Sequence, residues 1–386
     1  MPSVLLVRGH QATPWELAPW RQLPERYAVR LLRTRSNAYD VSGLGLETVE
    51  TRTLRDRLPR GRAGDLVARV VGDRYVDADD AFNGADIVHA EELGYWFAAE
   101  AARRRLEGGR FKLVLTAWET LPLLGAYRNA GARRRRQAVL AAGDLYLAAT
   151  GRARDALLLE GVPPERVEVC SPGIDVERFA AAPAEPSEHV ILSAGRLVWE
   201  KGHHDLLRAV AALRRGLVES PAQPRVLIVG AGPEGARLRA HADELGIGDA
   251  VEVRAFVPYE EMPGLYANAS ALVLASLPSA AMGLHAFDIP RAFWEEQFGM
   301  VLAEAMAAGL DIVAADSGAI PEVLDGQGTL IAPGDWRGLA AALAEGPLAR
   351  RPGARVPYPA ELVRRYSLGA MAERLAGAYD RVLAMS

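Results

Sequence analysis

The chain has 386 residues, half of them apolar and 24% charged, with a mean hydropathy of zero and a net charge of −4. Those proportions exclude a disordered chain, a collagen-like one and a small disulfide scaffold, and the length implies two or three domains. A single cysteine, Cys170, excludes an internal disulfide and leaves the cytoplasm as the expected compartment, while the charge balance gives no general affinity for nucleic acid. Of 45 basic residues only Lys112 and Lys201 are lysines, a bias that makes each remaining lysine worth explaining. Residues 1–172 carry 26 basic and 22 acidic groups, net +4, and the rest carry 19 and 27, net −8. That asymmetry fits two domains with different partners.

The first apolar run, Val4–Val7, ends at Arg8 and is too short for a signal-peptide core; no later run approaches a membrane span. Strands are then expected at Val4–Val7, Ala28–Leu32, Ile87–His89, Leu113–Thr116, Leu145–Ala149 and Val167–Val169. A second series follows at Val190–Ala194, Val226–Val229, Val251–Arg254, Ala271–Ala275, Ile312–Ala315 and Leu330–Ala332. These are continuous apolar runs, the pattern of parallel strands buried on both faces. Helical spacing appears between them, as in Asp205–Arg215 and Pro233–Leu245, so the fold class is α/β. Two doubly wound Rossmann-like domains facing a cleft are expected, 1–172 and 173–365, with a clear linker at Ala180–Ser187. A last helix, Gly369–Leu383, has no strand after it.

Several motifs invite over-reading. Gly230-Ala-Gly232-Pro-Glu-Gly235 follows a strand and matches the dinucleotide fingerprint, with Glu252 at the distance of a ribose-binding acid. It begins the second strand of its domain, however, and Pro233 stands where the helix would meet pyrophosphate. A tight turn beside a ligand is the better reading. Asp77-Ala-Asp79-Asp80 resembles a metal-holding DxD but lies in a weakly patterned polar stretch, and the histidines have no ligand spacing. No metal site or cofactor is expected. Arg133–Arg136 begins a helix and reads either as a solvated face or as weak contact with anionic lipid at the inner membrane face.

Three segments of the second half carry chemistry. Ser193-Ala-Gly195-Arg196-Leu-Val-Trp-Glu200-Lys201-Gly202 leaves a strand for a helix, placing two cations and free backbone N–H groups where a diphosphate can sit. Trp294-Glu-Glu296-Gln-Phe298-Gly299-Met300-Val301-Leu-Ala-Glu304 has two carboxylates eight residues apart, one in a loop and one inside an apolar helix. A buried acid such as Glu304 needs a hydroxyl or cationic partner. Asp316–Glu322 leaves the next strand and adds a third rim at the same sheet edge, where open α/β sheets bind ligands.

Taken together, these residues and the linker Ser171-Pro172-Gly173-Ile174-Asp175 make the chain resemble the retaining glycosyltransferases of family 4, which have the GT-B fold. The resemblance implies that Arg196 and Lys201 bind the donor diphosphate and, with Glu296, form the catalytic set. It implies that Glu296 and the backbone of Gly299, Met300 and Val301 after Phe298 hold the sugar. Glu304 would hold the nucleotide ribose, Gly195, Gly230 and Gly232 would line the donor pocket, and Arg254–Val257, with Phe256, would border the base. It also implies that the segment from about 366 to 386 crosses back onto the N-terminal domain, which would bind the acceptor.

The chain departs from the family at Asp311 and Ala319, where Pro and Gly are usual, and the Asn common between Pro172 and Gly173 is missing. In the N-terminal half the usual glycine pair is reduced to Gly9-His10, and Trp118 stands where many relatives have a histidine. His89, Glu91 and Glu119 are the further candidates to face the acceptor. Ala280–Phe293 is a long apolar connection that reads as a lid, an acceptor surface or a partner contact. The expected reaction moves a hexose from a nucleotide-diphosphate sugar to a hydroxyl acceptor with retention and without a metal. A nucleotide-sugar epimerase and a non-catalytic nucleotide-sugar-binding subunit stay open as alternatives, as do the base, the sugar, the acceptor and the oligomeric state.

Overall fold

The computed structural model describes residues 1–10, 12–58, 74–123, 130–180, 184–281 and 292–385, with Gly64 and Val67. The chain divides into two compact units, Met1–Gly173 with Leu368–Ser386, and Ile174–Ser367. Among the described residues no helix is long and apolar enough to cross a membrane.

The first unit is built on seven strands: β1 (Ser3–Val7), β2 (Ala28–Thr34), β3 (Glu47–Thr51), β4 (Ile87–Glu91), β5 (Lys112–Ala117), β6 (Leu145–Ala148) and β7 (Val167–Val169). They are all parallel, in the order β3-β2-β1-β4-β5-β6-β7. Alternation along β1 shows how the layers form. Leu5 and Val7 join one core with the helices Trp96–Leu106, Ala130–Ala142 and Gly151–Leu159, whereas Val4 and Leu6 join a second core on the other face. Both faces are covered, so the strands are apolar throughout. The edge strand β3 was not among the expected strands. Its sequence Glu-Thr-Val-Glu-Thr alternates, because an edge strand faces solvent and needs no continuous apolar run.

That second core depends on the far end of the chain. The helix Leu368–Ala384 lays Met371, Leu375, Ala378, Tyr379 and Val382 against Val4, Leu6, Leu17 and Trp20. One polar chain runs through this apolar layer. Trp20 Nε1 donates to the Tyr379 hydroxyl at 2.8 Å, which meets His89 Nδ1 at 2.6 Å, and His89 Nε2 meets Thr116 Oγ1 at 2.8 Å. With the indole as a donor only, the consistent assignment has the phenol donating to Nδ1 and Nε2–H donating to Thr116. His89 is fully buried, and burial holds its imidazole well below the usual range. The sequence placed His89 among the acceptor-facing residues. The structure corrects this, since its side chain points into the sheet–helix core and both ring nitrogens are used there.

The second unit has six parallel strands, β8 (Val190–Ala194), β9 (Arg225–Val229), β10 (Val251–Arg254), β11 (Ala271–Leu274), β14 (Asp311–Ala315) and β15 (Thr329–Ile331), ordered β10-β9-β8-β11-β14-β15. A separate antiparallel pair, β12 (Ser279–Ala281) and β13 (Ala292–Trp294), flanks the connection expected at Ala280–Phe293; its residues 282–291 lie outside the described residues. The helix His203–Arg214 packs with Trp336–Glu345 over Ile191, Ile228, Val273 and Val313. Asp311, unexpected at the start of a buried strand, accepts a hydrogen bond from Arg350 at 2.5 Å. In both units the order reverses between two central strands, β1 and β4 in one and β8 and β11 in the other. Ligands of open α/β sheets bind at such switch points.

Tyr379→Phe keeps the ring but takes away the hydroxyl that joins Trp20 to His89. It is expected to cost about 1–3 kcal/mol, read as a lower urea midpoint with an unchanged m value.

Candidate functional site

In the second unit the first and third chemistry-bearing segments leave the carboxyl ends of β8 and β14, and the second follows the antiparallel strand β13. Lys201, which ends the 3-10 turn Trp199–Lys201, donates to both oxygens of Glu296, at 2.9 and 2.7 Å. Ser276, just past β11, donates to Glu296 Oε2 at 2.6 Å. Both Lys201 and Glu296 are almost buried, and Lys201 Nζ also lies 5.0 Å from the Trp294 ring centroid. The third segment holds the backbone of Glu296: Ala319 N donates to its carbonyl at 2.8 Å. Gly318 sits at φ 58°, and a Cβ there would stand 2.2 Å from the Glu296 carbonyl oxygen. Only glycine permits that approach.

Arg196 is not drawn into this pair. Its side chain is 60% exposed, with Glu200 3.9 Å away. Its backbone is fixed by His203, whose Nε2 meets the Arg196 carbonyl at 3.1 Å while Nδ1 meets Ser193 Oγ at 2.9 Å. Burial depresses the His203 imidazole to about 4, so it acts as a neutral donor–acceptor bridge. Gly195 lines Lys201: a Cβ there would lie 3.9 Å from Lys201 Cδ. Gly230 and Gly232 have a different reason. A Cβ at either would stand 1.8 Å from the Gly195 carbonyl oxygen or 2.3 Å from that of Leu197. The apparent dinucleotide fingerprint is therefore the close packing of two loops, closed by Leu197 N donating to the Ala231 carbonyl at 2.9 Å.

Glu304 lies inside the helix Met300–Ala307 and is buried. The Tyr266 hydroxyl donates to Glu304 Oε2 at 2.6 Å, and Tyr259 is hydrogen-bonded to it as well. Burial pushes the Glu304 carboxyl up to about 7, against the pull of these two phenols. Gly299, left-handed at φ 78°, starts this helix without a side-chain cap, so the first N–H groups at Met300 and Val301 are offered to a ligand. The Phe298 side chain itself is a core piece, edge-on to Tyr366 at 5.3 Å. Phe256 is 73% exposed just beyond β10. Ser317 on the third rim is buried, and its hydroxyl has no hydrogen-bond partner among the described residues.

In the first unit the carboxyl ends of β1, β4 and β5 gather a polar cluster. Arg8 Nε lies 3.3 Å from Glu91 Oε2, and the Trp118 indole donates to Glu91 Oε1 at 2.8 Å. Trp118 N donates to Glu92 Oε1 at 2.7 Å, with Glu92 held at φ 60°. Trp118 thus holds Glu91 through its indole and Glu92 through its backbone N–H. Glu119 turns back to accept from Leu121 N at 3.0 Å. Gly9 packs on the Phe97 ring, to which His10 is also edge-on at 6.3 Å. Glu16 was not expected here; burial, then the charge of Glu91, raises its carboxyl to about 7. Arg8 and Glu92 were also missed; Arg8 directly follows the expected strand Val4–Val7, and Glu92 follows β4, which runs two residues past its expected end.

The other sequence candidates are spent on structure. Asp77 pairs with Arg52 and Asp79 with Arg104. Among the described residues no group of three His, Cys, Asp or Glu could hold a metal ion. In the run Arg133–Arg136, Arg136 is bound to Glu160 at 2.5 Å and Arg135 lies over Trp96 at 3.8 Å. Only Arg133 and Arg134 remain on the exposed face, half the patch proposed for lipid contact.

Two Rossmann-like units, with an Arg/Lys loop and an E-x7-E segment in the second, are the features on which the chain compares with known proteins. Residues 175–346 match the family described as Glycosyl transferases group 1, and residues 9–178 match Glycosyltransferase Family 4. The chain belongs to the family 4, group 1 glycosyltransferases. A D-inositol 3-phosphate glycosyltransferase of Nocardia farcinica is 31% identical over 70% of this chain and 61% of its own. A GDP-mannose-dependent alpha-(1-6)-phosphatidylinositol monomannoside mannosyltransferase of Mycolicibacterium smegmatis is 32% identical over 47% of each. The chain spans about half the length of several curated relatives it matches. The solved structure of Anabaena HepE in complex with UDP and glucose has the same fold, with a TM-score of 0.71 at 19% identity, covering 99% of this chain and all of that one.

The raised carboxyl of Glu92 yields a stability test. Burial lifts it from 4.5 to about 7. The stability this group contributes is complete below pH 4.5, falls as pH rises to about 7 and stays lost above. Glu92→Gln keeps an acceptor for Trp118 N without the charge. Its melting temperature should match wild type near pH 4.5 and exceed it at pH 8, the gain approaching ~3 kcal/mol at most. A gain that shrinks with rising pH would contradict the assignment.

Proposed function

We propose that the chain transfers a hexose from a nucleotide-diphosphate sugar to a hydroxyl acceptor with the anomeric configuration retained. The observation that carries this reading is the joined set Lys201, Glu296 and Ser276 beside the phenol-bound Glu304 and the uncapped helix start at Gly299, all on the switch-point edge of one sheet. The related transferases named above, acting on inositol phosphate or using GDP-mannose, support it. On this reading the second unit takes the donor and the first takes the acceptor.

Arg196 and Lys201 offset the charge that develops on the diphosphate as the bond from the anomeric carbon to the phosphate oxygen breaks. A diphosphate competes with Glu296 for Lys201, and Glu296 is then freed to accept hydrogen bonds from the sugar hydroxyls. The helix start at Met300 and Val301 supplies donors on the same side. The new bond forms from the acceptor oxygen on the face that the diphosphate leaves, and the acceptor proton passes to a leaving phosphate oxygen. Because the chain brings its own cations to the diphosphate, we propose that transfer needs no metal.

Lys201 must be tested with its partner. Lys201→Ala alone leaves a buried carboxylate unpaired, which costs about 3–5 kcal/mol and confounds activity with folding. Lys201→Gln combined with Glu296→Gln keeps volume and leaves no lone charge. That double variant, and the exposed Arg196→Ala alone, should each lower transfer on the order of 10²-fold or more at a near-wild-type melting temperature. Undiminished turnover in both would refute the reading. Full activity in EDTA is the second expectation, and inactivation reversed by Mn²⁺ would overturn metal independence.

A further inference from the structure

Glu304 presents a problem of its own. A carboxyl buried on an apolar helix, with Leu302, Ala303, Ala305 and Met306 as its buried neighbours in the chain, is driven towards its neutral form, and a neutral acid is a poor acceptor for two hydroxyls at once. The structure answers this with two phenols from a single short segment. Tyr259 starts a 3-10 turn and Tyr266 sits in the helix Met262–Ala267 that follows it directly. Both donate to Glu304 and both are fixed before they do so. Phe179 stands edge-on to Tyr266 at 5.1 Å and to Tyr259 at 5.9 Å. Phe179 ends the turn Val176–Phe179, whose start is capped by Asp175 accepting from Arg178 N at 3.1 Å. From the other side Arg355 donates to the carbonyls of Tyr266, Ala267 and Ala269, closing the end of the tyrosine's helix.

Packing alone does not call for these hydroxyls. Tyr266 is completely buried, and a phenylalanine would keep the same edge-on contact with Phe179. The hydroxyl is retained because it faces a carboxylate. An ionised carboxylate has about four lone-pair positions on its two oxygens. Two phenols occupy two of them and leave two acceptor positions, the number that a vicinal diol requires. They also favour the ionised, acceptor-only form, since each donates to the charge.

We propose that Tyr266 and Tyr259 are positioning residues that hold Glu304 as an ionised acceptor for the two ribose hydroxyls of the donor nucleotide, so that the site selects ribonucleoside over deoxyribonucleoside diphosphates. This rests on the donor reading given above. The same segment follows the loop that carries the exposed Phe256, so base and ribose would be read by one stretch of chain, residues 254–266.

The test measures binding of UDP, GDP and ADP, and of their 2′-deoxy and 2′,3′-dideoxy forms, by isothermal titration calorimetry. Wild type should bind its preferred ribonucleotide at least ~10-fold more tightly than the dideoxy form, as loss of hydrogen bonds to a charged group predicts. Tyr266→Phe should weaken the ribonucleotide by ~10-fold while leaving the dideoxy form unchanged, so that discrimination collapses. A purely structural role predicts equal loss for both forms, and that result would overturn the inference while leaving the donor reading intact. If Tyr266→Phe lowers the melting temperature too far to assay, Tyr259→Phe, at the less buried of the two positions, is measured the same way and decides. Failure of wild type to bind any of the three diphosphates would overturn the donor reading and this inference together.

Discussion

The second unit is organised around one buried ion pair. Lys201 and Glu296 lie 95 residues apart, one after β8 and the other after β13, and their meeting joins the two segments. Such a pair gains little stability over a well-packed apolar alternative, because desolvation offsets most of the Coulomb attraction. Its value is geometric. Ser276 satisfies a further lone pair of Glu296, Gly318 and Ala319 grip its backbone, and Trp294 faces the lysine. A carboxylate so held is pre-oriented, and a diphosphate is the kind of anion that can compete for the ammonium.

Much of this was legible before any coordinates. Every apolar run expected as a strand is one, to within two residues at its ends, because strands buried on both faces have no polar positions to blur the pattern. The scarcity of lysine singled out Lys201, and burial of Glu304 followed from its neighbours in an apolar helix. The partners were not legible. Nothing in local sequence says that Lys201 meets Glu296 rather than standing free, or that Tyr266 reaches Glu304 across 38 residues, since such pairings are fixed by tertiary packing. His89 shows the same limit from the other side. A histidine closing a strand reads as a site residue, yet its side chain turned inward, where two hydrogen bonds and an aromatic neighbour awaited it.

The first unit is organised differently. Its carboxylates are tied by an indole and one guanidinium, and two of them, Glu16 and Glu92, are held near neutrality by burial. A histidine at position 118 would exchange protons and carry charge; the indole does neither and instead braces Glu91, while the backbone N–H of Trp118 holds Glu92. The departure from the family is thus a change in how the loop is held as well as in what it offers to a ligand.

The last helix belongs to the core of the first unit, and Trp20 bonds a tyrosine 359 positions away. During synthesis, therefore, the unit made first cannot close its second face until residues Leu368–Ala384 leave the ribosome. At ~5–20 residues per second the intervening stretch takes on the order of 20–70 s, during which Val4, Leu6, Leu17 and Trp20 have no partner helix. The second unit, continuous in sequence, can fold meanwhile. The order of completion is then the reverse of the order of translation, and the early apolar face stays uncovered until its helix arrives.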